Sequence, residues 1–149
     1  VTRNPFTMAA SFENTLHHAL LCIADPTSDE SSAFITTDGM VKPEVDLYSL
    51  THIKETSDFV VVTRAYRNDE AIIEKIVNFA LAQLGKSYNL DFSDNLNTDR
   101  YYCNQLIWRA YYEGGLNIDA NDAEVRDYGI VLASDIYTSP LLYIVDYSD

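Results

Sequence analysis

Basic residues are scarce in this chain: 10 Lys and Arg stand against 23 Asp and Glu, a formal charge of −13 over 149 residues. That deficit opposes nucleic-acid binding, which needs clustered Lys and Arg on the phosphates, and equally opposes adsorption to anionic lipid. Cysteine is scarcer still. The two present, Cys22 and Cys103, cannot build a disulfide framework, although a single bridge between them stays open. No apolar run approaches the roughly 18 residues that would span a bilayer, so no integral membrane segment is expected. Two cysteines and three histidines at scattered spacing match no C-x2-C or H-E-x-x-H pattern, and the sequence predicts no metal. A Gly-rich phosphate loop and a G-x-S-x-G turn are missing too, so no cofactor is expected. Neither repeats nor a Pro/Gly-rich linker divide the chain. With 47% apolar residues it is expected to form a single domain over 1–149 around one sizeable core. It opens Val1-Thr2-Arg3, without Met, which predicts a processed or trimmed product.

What is there reads as strands, then helices, then strands. Ala19-Leu20-Leu21-Cys22-Ile23 and Ala33-Phe34-Ile35-Thr36-Thr37 are apolar runs on either side of a loop-like stretch at 25–32, and predict paired buried strands. Phe59-Val60-Val61-Val62-Thr63 is β-branched through its centre and predicts another strand. Between 69 and 84 the period changes: Ile72, Ile73, Ile76, Val77, Ala80 and Leu84 recur at helical spacing, with Asp69 and Glu70 at the start and Gly85 as the stop. A second helix is predicted from about Tyr102 to Glu113, with Cys103, Leu106, Ile107, Ala110 and Tyr111 on one face and Gly114-Gly115 at its end. The tail carries two apolar runs, 129–132 and 141–145, the latter a closing strand. The sum is an α+β domain with a largely antiparallel sheet.

Cys103 falls at the predicted start of a helix, where backbone amides stabilise a thiolate and can also donate to an oxyanion. A nucleophilic Cys needs a base. His18, at the mouth of the strand that holds Cys22, is the best-placed candidate. Strict strand alternation sends the rings of His17 and His18 to opposite faces, so at most one of the two is functional. The competing reading of Cys103 is a buried helix Cys that acts as a small hydrophobe, which is the role expected of Cys22.

The residues between 84 and 111 tilt that balance. Leu84-Gly85-Lys86-Ser87-Tyr88-Asn89, followed by Asp99-Arg100-Tyr101-Tyr102-Cys103-Asn104-Gln105-Leu106-Ile107-Trp108-Arg109-Ala110-Tyr111, resembles the "GKPY…YCSxLVWxA" pattern of the circularly permuted NlpC-type papain-like cysteine peptidases and amidases, the YycO- and YiiX-like proteins. In that branch the His strand precedes the Cys helix, as His18 precedes Cys103 here. Thr15-Leu16-His17-His18-Ala19-Leu20-Leu21 resembles its "GHxAIV" strand, and 130–140 resembles its "VxPADLxxSP" tail.

The resemblance implies a permuted papain-like fold in which an antiparallel sheet packs against the helix bearing the nucleophile. It implies Cys103 as nucleophile, His18 as general base, and Tyr88 and Tyr102 lining the substrate beside the oxyanion. The His-orienting third position, often acidic in this branch, falls on Thr36, with Asp38 two residues on as a substitute of the same parity. His17 and His52 become edge or surface residues. The implied activity is hydrolysis of peptide-type amides of the bacterial cell wall through a thioester, with a peptide or muropeptide-like substrate and an extracellular or cell-envelope location. A thiol acyltransferase or esterase for lipid-like acyl groups is the first alternative. A binding module with a weakened triad is the second, motivated by Thr36, whose hydroxyl gives an imidazolium no charge stabilisation.

Overall fold

The apolar runs of the first half assemble side by side in one sheet. The computed structural model describes residues 7–12, 15–26, 32–39, 42–121 and 129–148. Eight strands are present among them: β1 (Thr7–Phe12), β2 (Thr15–Cys22), β3 (Phe34–Asp38), β4 (Lys42–Tyr48), β5 (Phe59–Ala65), β6 (Ser87–Tyr88), β7 (Arg100–Tyr101) and β8 (Leu142–Ser148). Their spatial order is β7-β6-β4-β3-β2-β1-β5-β8. Every neighbouring pair is antiparallel except β6 and β7. Four helices complete the fold: α1 (Leu50–Thr56), α2 (Glu70–Ala82), α3 (Cys103–Glu113) and α4 (Ala133–Tyr137).

Alternation along β2 and β3 divides the apolar side chains between the two faces of the sheet. Ala19, Leu21 and Ile35 join Val45 on the face covered by α2 and α3, where they meet Ile76, Ala80, Leu106, Ile107 and Trp108. Leu20, Cys22 and Phe34 lie on the other face with Val60 and with Ile53 of α1. Burying each such side chain contributes about 1.5–3 kcal/mol, which makes the larger cluster the main support of the fold. Here α3 runs under the centre of the sheet, held between β2, β3 and α2. A Cβ on Gly114 at its end would come within 2.6 Å of Ile76 Cγ1, so the glycine lets α3 finish close against α2.

Both predicted helices are present and begin and end as their sequences dictate. The Asp69 carboxylate accepts from the Ile72 N–H (3.3 Å) at the start of α2, and Ile72, Ile73, Ile76, Val77 and Ala80 are its buried face. After α2, Gly85 takes a φ of +82° and donates its N–H to Val45 O (2.9 Å), which turns the chain into β6 beside β4.

Three features go beyond the reading of the sequence. β4 and α1 carry no clear apolar period, because β4 is half exposed with Lys42, Glu44 and Asp46 along it and α1 buries only Ile53. The tail run 129–132 is not a strand; its Val131 N–H is taken by the Tyr102 hydroxyl (2.9 Å), and the chain enters α4 directly after it. Cys22 and Cys103 are both free thiols, and Cys22 donates to Ala24 O (3.0 Å), so no bridge joins them. Of the predicted loop at 25–32, residues 27–31 lie outside the described residues, as does the opening Val1-Thr2-Arg3.

Candidate active site

The ladder between β2 and β3 pairs Leu21 with Ile35 and Cys22 with Phe34. Towards the start of β2 that ladder gives way to other partners. The Thr36 hydroxyl donates to the Ala19 carbonyl (2.7 Å), and the Ala19 N–H donates to the Cys103 sulfur. Two backbone groups that a continued ladder would use are thus satisfied by a side chain and by a thiol, as buried backbone groups must be. On its other edge β2 carries a bulge. Its partners in β1 run Ala10↔His18 and then Ser11↔Leu16, which leaves His17 as the extra residue. Strict alternation between His17 and His18 therefore stops at this point, and the bulge bends the strand where His18 is presented.

From the opposite side α3 brings Cys103. Tyr102 is the residue before its first turn, with extended backbone, and the Gln105 side chain folds back to accept from the Tyr102 N–H (3.3 Å). Gln105 is wholly buried and uses its amide fully: Oε1 also accepts from Asn89 Nδ2 (3.2 Å), while Nε2 donates to Asp94 O (3.1 Å) and Asn97 O (3.4 Å). One side chain thereby fixes both the start of α3 and the segment from 89 to 99 that runs beside it.

The Cys103 thiol and the His18 imidazole are hydrogen-bonded to each other. Burial on its own would push the thiol up. The charge of His18, its hydrogen bond and the N–H donors of Ala19 and Asn104 outweigh it, and hold Cys103 below the ordinary thiol value. Burial likewise disfavours an imidazolium at His18. The charge and hydrogen bond of Cys103, with the charge of Asp38 behind them, outweigh that penalty and hold His18 above its ordinary value. The two opposite shifts both favour the thiolate–imidazolium form of the pair.

Asp38 ends β3, the strand beside β2. Its charge acts on His18, Tyr48 and Tyr88 together. Thr36, the position the family pattern marks, is 1% exposed and directs its hydroxyl hydrogen to Ala19.

Tyr88 is half-buried near Cys103. Burial first, and then the charges of Cys103 and Asp38, push its phenol up to about 12, so the hydroxyl keeps its proton. Its ring lies on the backbone of Gly39, where a Cβ would stand 3.0 Å from Cε1. Tyr102 is buried, and its phenol too is pushed up to about 12, chiefly by burial. Phe92 links the two tyrosines edge-on, with ring centroids 6.3 Å from Tyr88 and 5.2 Å from Tyr102. Sequence reasoning missed Phe92 and Gln105. The former lies in an irregular segment, and the latter reads as a routine helix residue until its partners are known. His52 stands apart, on α1 against the Tyr48 ring at 5.2 Å. Among the described residues no three His, Cys, Asp or Glu side chains converge as a metal site, and no helix is long and apolar enough to cross a membrane.

This arrangement has relatives. The chain shares its fold with the crystal structure of the metalloprotein YiiX from Escherichia coli O157:H7, at a TM-score of 0.71 and 14% identity, over 97% of this chain and 96% of that one. No curated protein matches its sequence. The model of the permuted papain-like amidase enzymes, the YaeF/YiiX C92 family, matches residues 4–143, nearly the whole chain, and the protein belongs to that family.

Proposed function

We propose that this protein is a cysteine-dependent amide hydrolase that works through a thioester. The observation that carries the reading is the hydrogen-bonded Cys103–His18 pair at the start of α3, with its two protonation equilibria displaced in opposite directions. Cys103 attacks the amide carbonyl carbon as a thiolate and forms the C–S bond, while charge moves to the carbonyl oxygen. The orphan amides of the first turn of α3 and the protonated Tyr88 hydroxyl are the donors for that oxyanion. His18 gives its proton to the departing amine as the C–N bond breaks. It then takes a proton from the water that attacks the thioester; the C–S bond breaks, the carboxylic acid is released, and the thiolate and the imidazolium are restored.

Asp38 is the group that steadies the charged imidazole in this reading, and Thr36 serves one step back by closing the gap between β3 and Ala19. The name of YiiX mentions a metal. In this chain His18 and Cys103 are engaged with each other. For the substrate, the sequence resemblance points to peptide-type amides of the bacterial cell wall, and with them to a place outside the membrane. Release of free amines from purified peptidoglycan is the assay for that substrate.

The test of the thiolate is alkylation by iodoacetamide at pH 6, with the modified residue located by mass spectrometry. Cys103 should react faster than glutathione, and Cys22, which donates to Ala24, should not. A Cys103 that reacts no faster than glutathione, or a label that lands on Cys22, overturns the reading.

A second expectation concerns Gly39. No left-handed backbone angle holds this glycine, and the three atoms nearest a Cβ at Gly39 all belong to the Tyr88 ring. Displacing that ring costs on the order of 1–2 kcal/mol as overpacking. We expect kcat/KM for amide hydrolysis to fall about tenfold, together with a drop in the urea midpoint that reflects the same cost. An unchanged kcat/KM would remove Tyr88 from the oxyanion site.

A further inference from the structure

The pattern that residues 99–111 resemble has Ser directly after the Cys, and this chain has Asn104 there. Asn104 is the second residue of α3 and only 6% exposed, so its amide is taken almost wholly out of water. A buried amide has an acceptor end, Oδ1, and a donor end, Nδ2, and both seek partners. The acceptor end is turned to the nucleophile: the Cys103 thiol donates to Asn104 Oδ1 across 3.7 Å. Among the described residues nothing accepts from the donor end, so two N–H bonds are left unused beside the reacting sulfur.

That arrangement suits the thiol and fails the thiolate. A thiolate has no hydrogen to give, and its charge repels the negative end of the amide dipole at Oδ1. The χ2 torsion of Asn is broad and roughly two-fold, and Oδ1 and Nδ2 are nearly equal in size. A half-turn about Cβ–Cγ therefore brings Nδ2 to where Oδ1 stood. It exchanges a contact that needs S–H for one that needs S⁻. The other neighbours of the sulfur are compatible with that exchange. The backbone N–H groups of Ala19 and Asn104 donate to it, and His18 is hydrogen-bonded to it. Tyr88 from β6 and Tyr102 before α3 face it with their protons kept, and Asp38 of β3 acts on it from behind His18.

We infer that Asn104 is a further catalytic residue, whose side-chain Nδ2 donates to the Cys103 sulfur once that sulfur is ionised, after a half-turn of the amide from the orientation that accepts from the thiol. The inference rests on Cys103 reacting as a thiolate. It adds to that reading a side-chain N–H donor at a position where the family pattern has a hydroxyl. The new bond is strongest while the sulfur carries its charge and weakens as the C–S bond forms, so Asn104 governs how much thiolate exists at a given pH.

The test follows iodoacetamide labelling of Cys103 from pH 4 to 10 in the wild type, Asn104→Asp and Asn104→Leu, with the urea midpoint taken on the same preparations. Both replacements are close to Asn in size. Asp keeps the acceptor oxygen and loses the donor, and Leu loses both. If the amide served only to accept from the thiol, Asp would label as the wild type does. Expected instead is a labelling midpoint about one pH unit higher in Asn104→Leu, which slows labelling on the acid side about tenfold. In Asn104→Asp the shift should be larger, because a negative charge then faces the thiolate. Above the midpoints the three rates should agree within about threefold, since the thiolate is fully formed in all of them. In 15N-labelled wild type, one Asn side-chain NH2 pair, absent from the spectrum of Asn104→Leu, should shift with the midpoint of the labelling curve. A folded Asp or Leu variant with the wild-type midpoint overturns the Asn104 donor and leaves the thiolate standing. An Asn104 NH2 pair that ignores the titration does the same. If Asn104→Leu does not fold, the NH2 pair is assigned through Asn104→Asp or by backbone assignment, and its titration decides alone. A wild-type Cys103 no faster than glutathione removes the thiolate, and this inference with it.

Discussion

Cys103→Ser should lower amide hydrolysis by about 10^4-fold or more, the scale on which enzymes lose turnover when the attacking atom is replaced. The side chain barely changes in size, and the Ala19 and Asn104 N–H donors that face the sulfur can bond an oxygen as well. What is lost is the ionised nucleophile. A serine hydroxyl beside one imidazole stays protonated, whereas the Cys103 thiol is already held low by the same neighbour. The variant should keep its fold, with a change of less than about 1 kcal/mol in urea unfolding, and should still bind substrate. The measurement is kcat for amine release, with the unfolding midpoint taken on the same preparation. Cys22→Ser is the control. Its hydroxyl can donate to Ala24 as the thiol does, on the sheet face away from α3, so activity should stay within about twofold. Retention of more than a few per cent of activity by Cys103→Ser would show that the bond is broken elsewhere.

Much of this site was legible in the sequence because its two principal groups depend on local rules. Cys103 announces itself by the helical period of Leu106, Ile107 and Ala110 behind it, and a helix start is readable from a few residues. His18 precedes an apolar run that has no choice but to be a central strand. The remaining pieces depend on contacts between distant parts of the chain. How Thr36 and Asp38 stand relative to the imidazole depends on where the β2–β3 ladder is interrupted, which the motif alone does not mark. Thr36 gives its hydroxyl hydrogen to Ala19 because the parted strands leave that carbonyl without a ladder partner. The bulge at His17 was equally invisible. It exists only as a mismatch of register between β1 and β2, and no residue type marks it. Gly39 reads as an ordinary turn residue until Tyr88, 49 positions later, lies on its backbone.

The same dependence on contact explains why β4 escaped notice while its neighbours did not. A strand between two others needs only one apolar face, and in Lys42–Tyr48 that face is reduced to Val45 and the half-buried Leu47, with Asp46 between them and Glu44 before. Charge here is a consequence of position. Glu44 and Asp46 pair with Lys42 at the surface, at side-chain exposures that make each ion pair worth little, so the pattern carries no message about the core.

His18→Gln separates the roles of the pair most sharply, and its effect on turnover is expected to be about 10^2- to 10^4-fold, the contribution of one positioned acid–base group. Glutamine fits the space and keeps a hydrogen-bonding tip, but it carries no charge and gives up no proton. Its signature lies in the pH dependence. In the wild type, Cys103 is lowered and His18 raised; in the proposed mechanism the first value lies below the second, and the reactive pair exists between them. On the acid side the rate falls where the thiolate takes up a proton, below the ordinary thiol range. On the alkaline side it falls where the imidazolium loses its proton, above the ordinary imidazole value. A bell-shaped profile follows. In His18→Gln the alkaline fall vanishes, because the group that caused it is gone. The acid limb moves to higher pH, because burial still disfavours the thiolate and the charge that outweighed burial is missing. Iodoacetamide labelling of the variant followed from pH 5 to 10 reads that second shift without any need for turnover. If the labelling midpoint of Cys103 stays where the wild type has it, the thiol is lowered by the Ala19 and Asn104 amides alone, and His18 is a proton carrier without being the counter-charge.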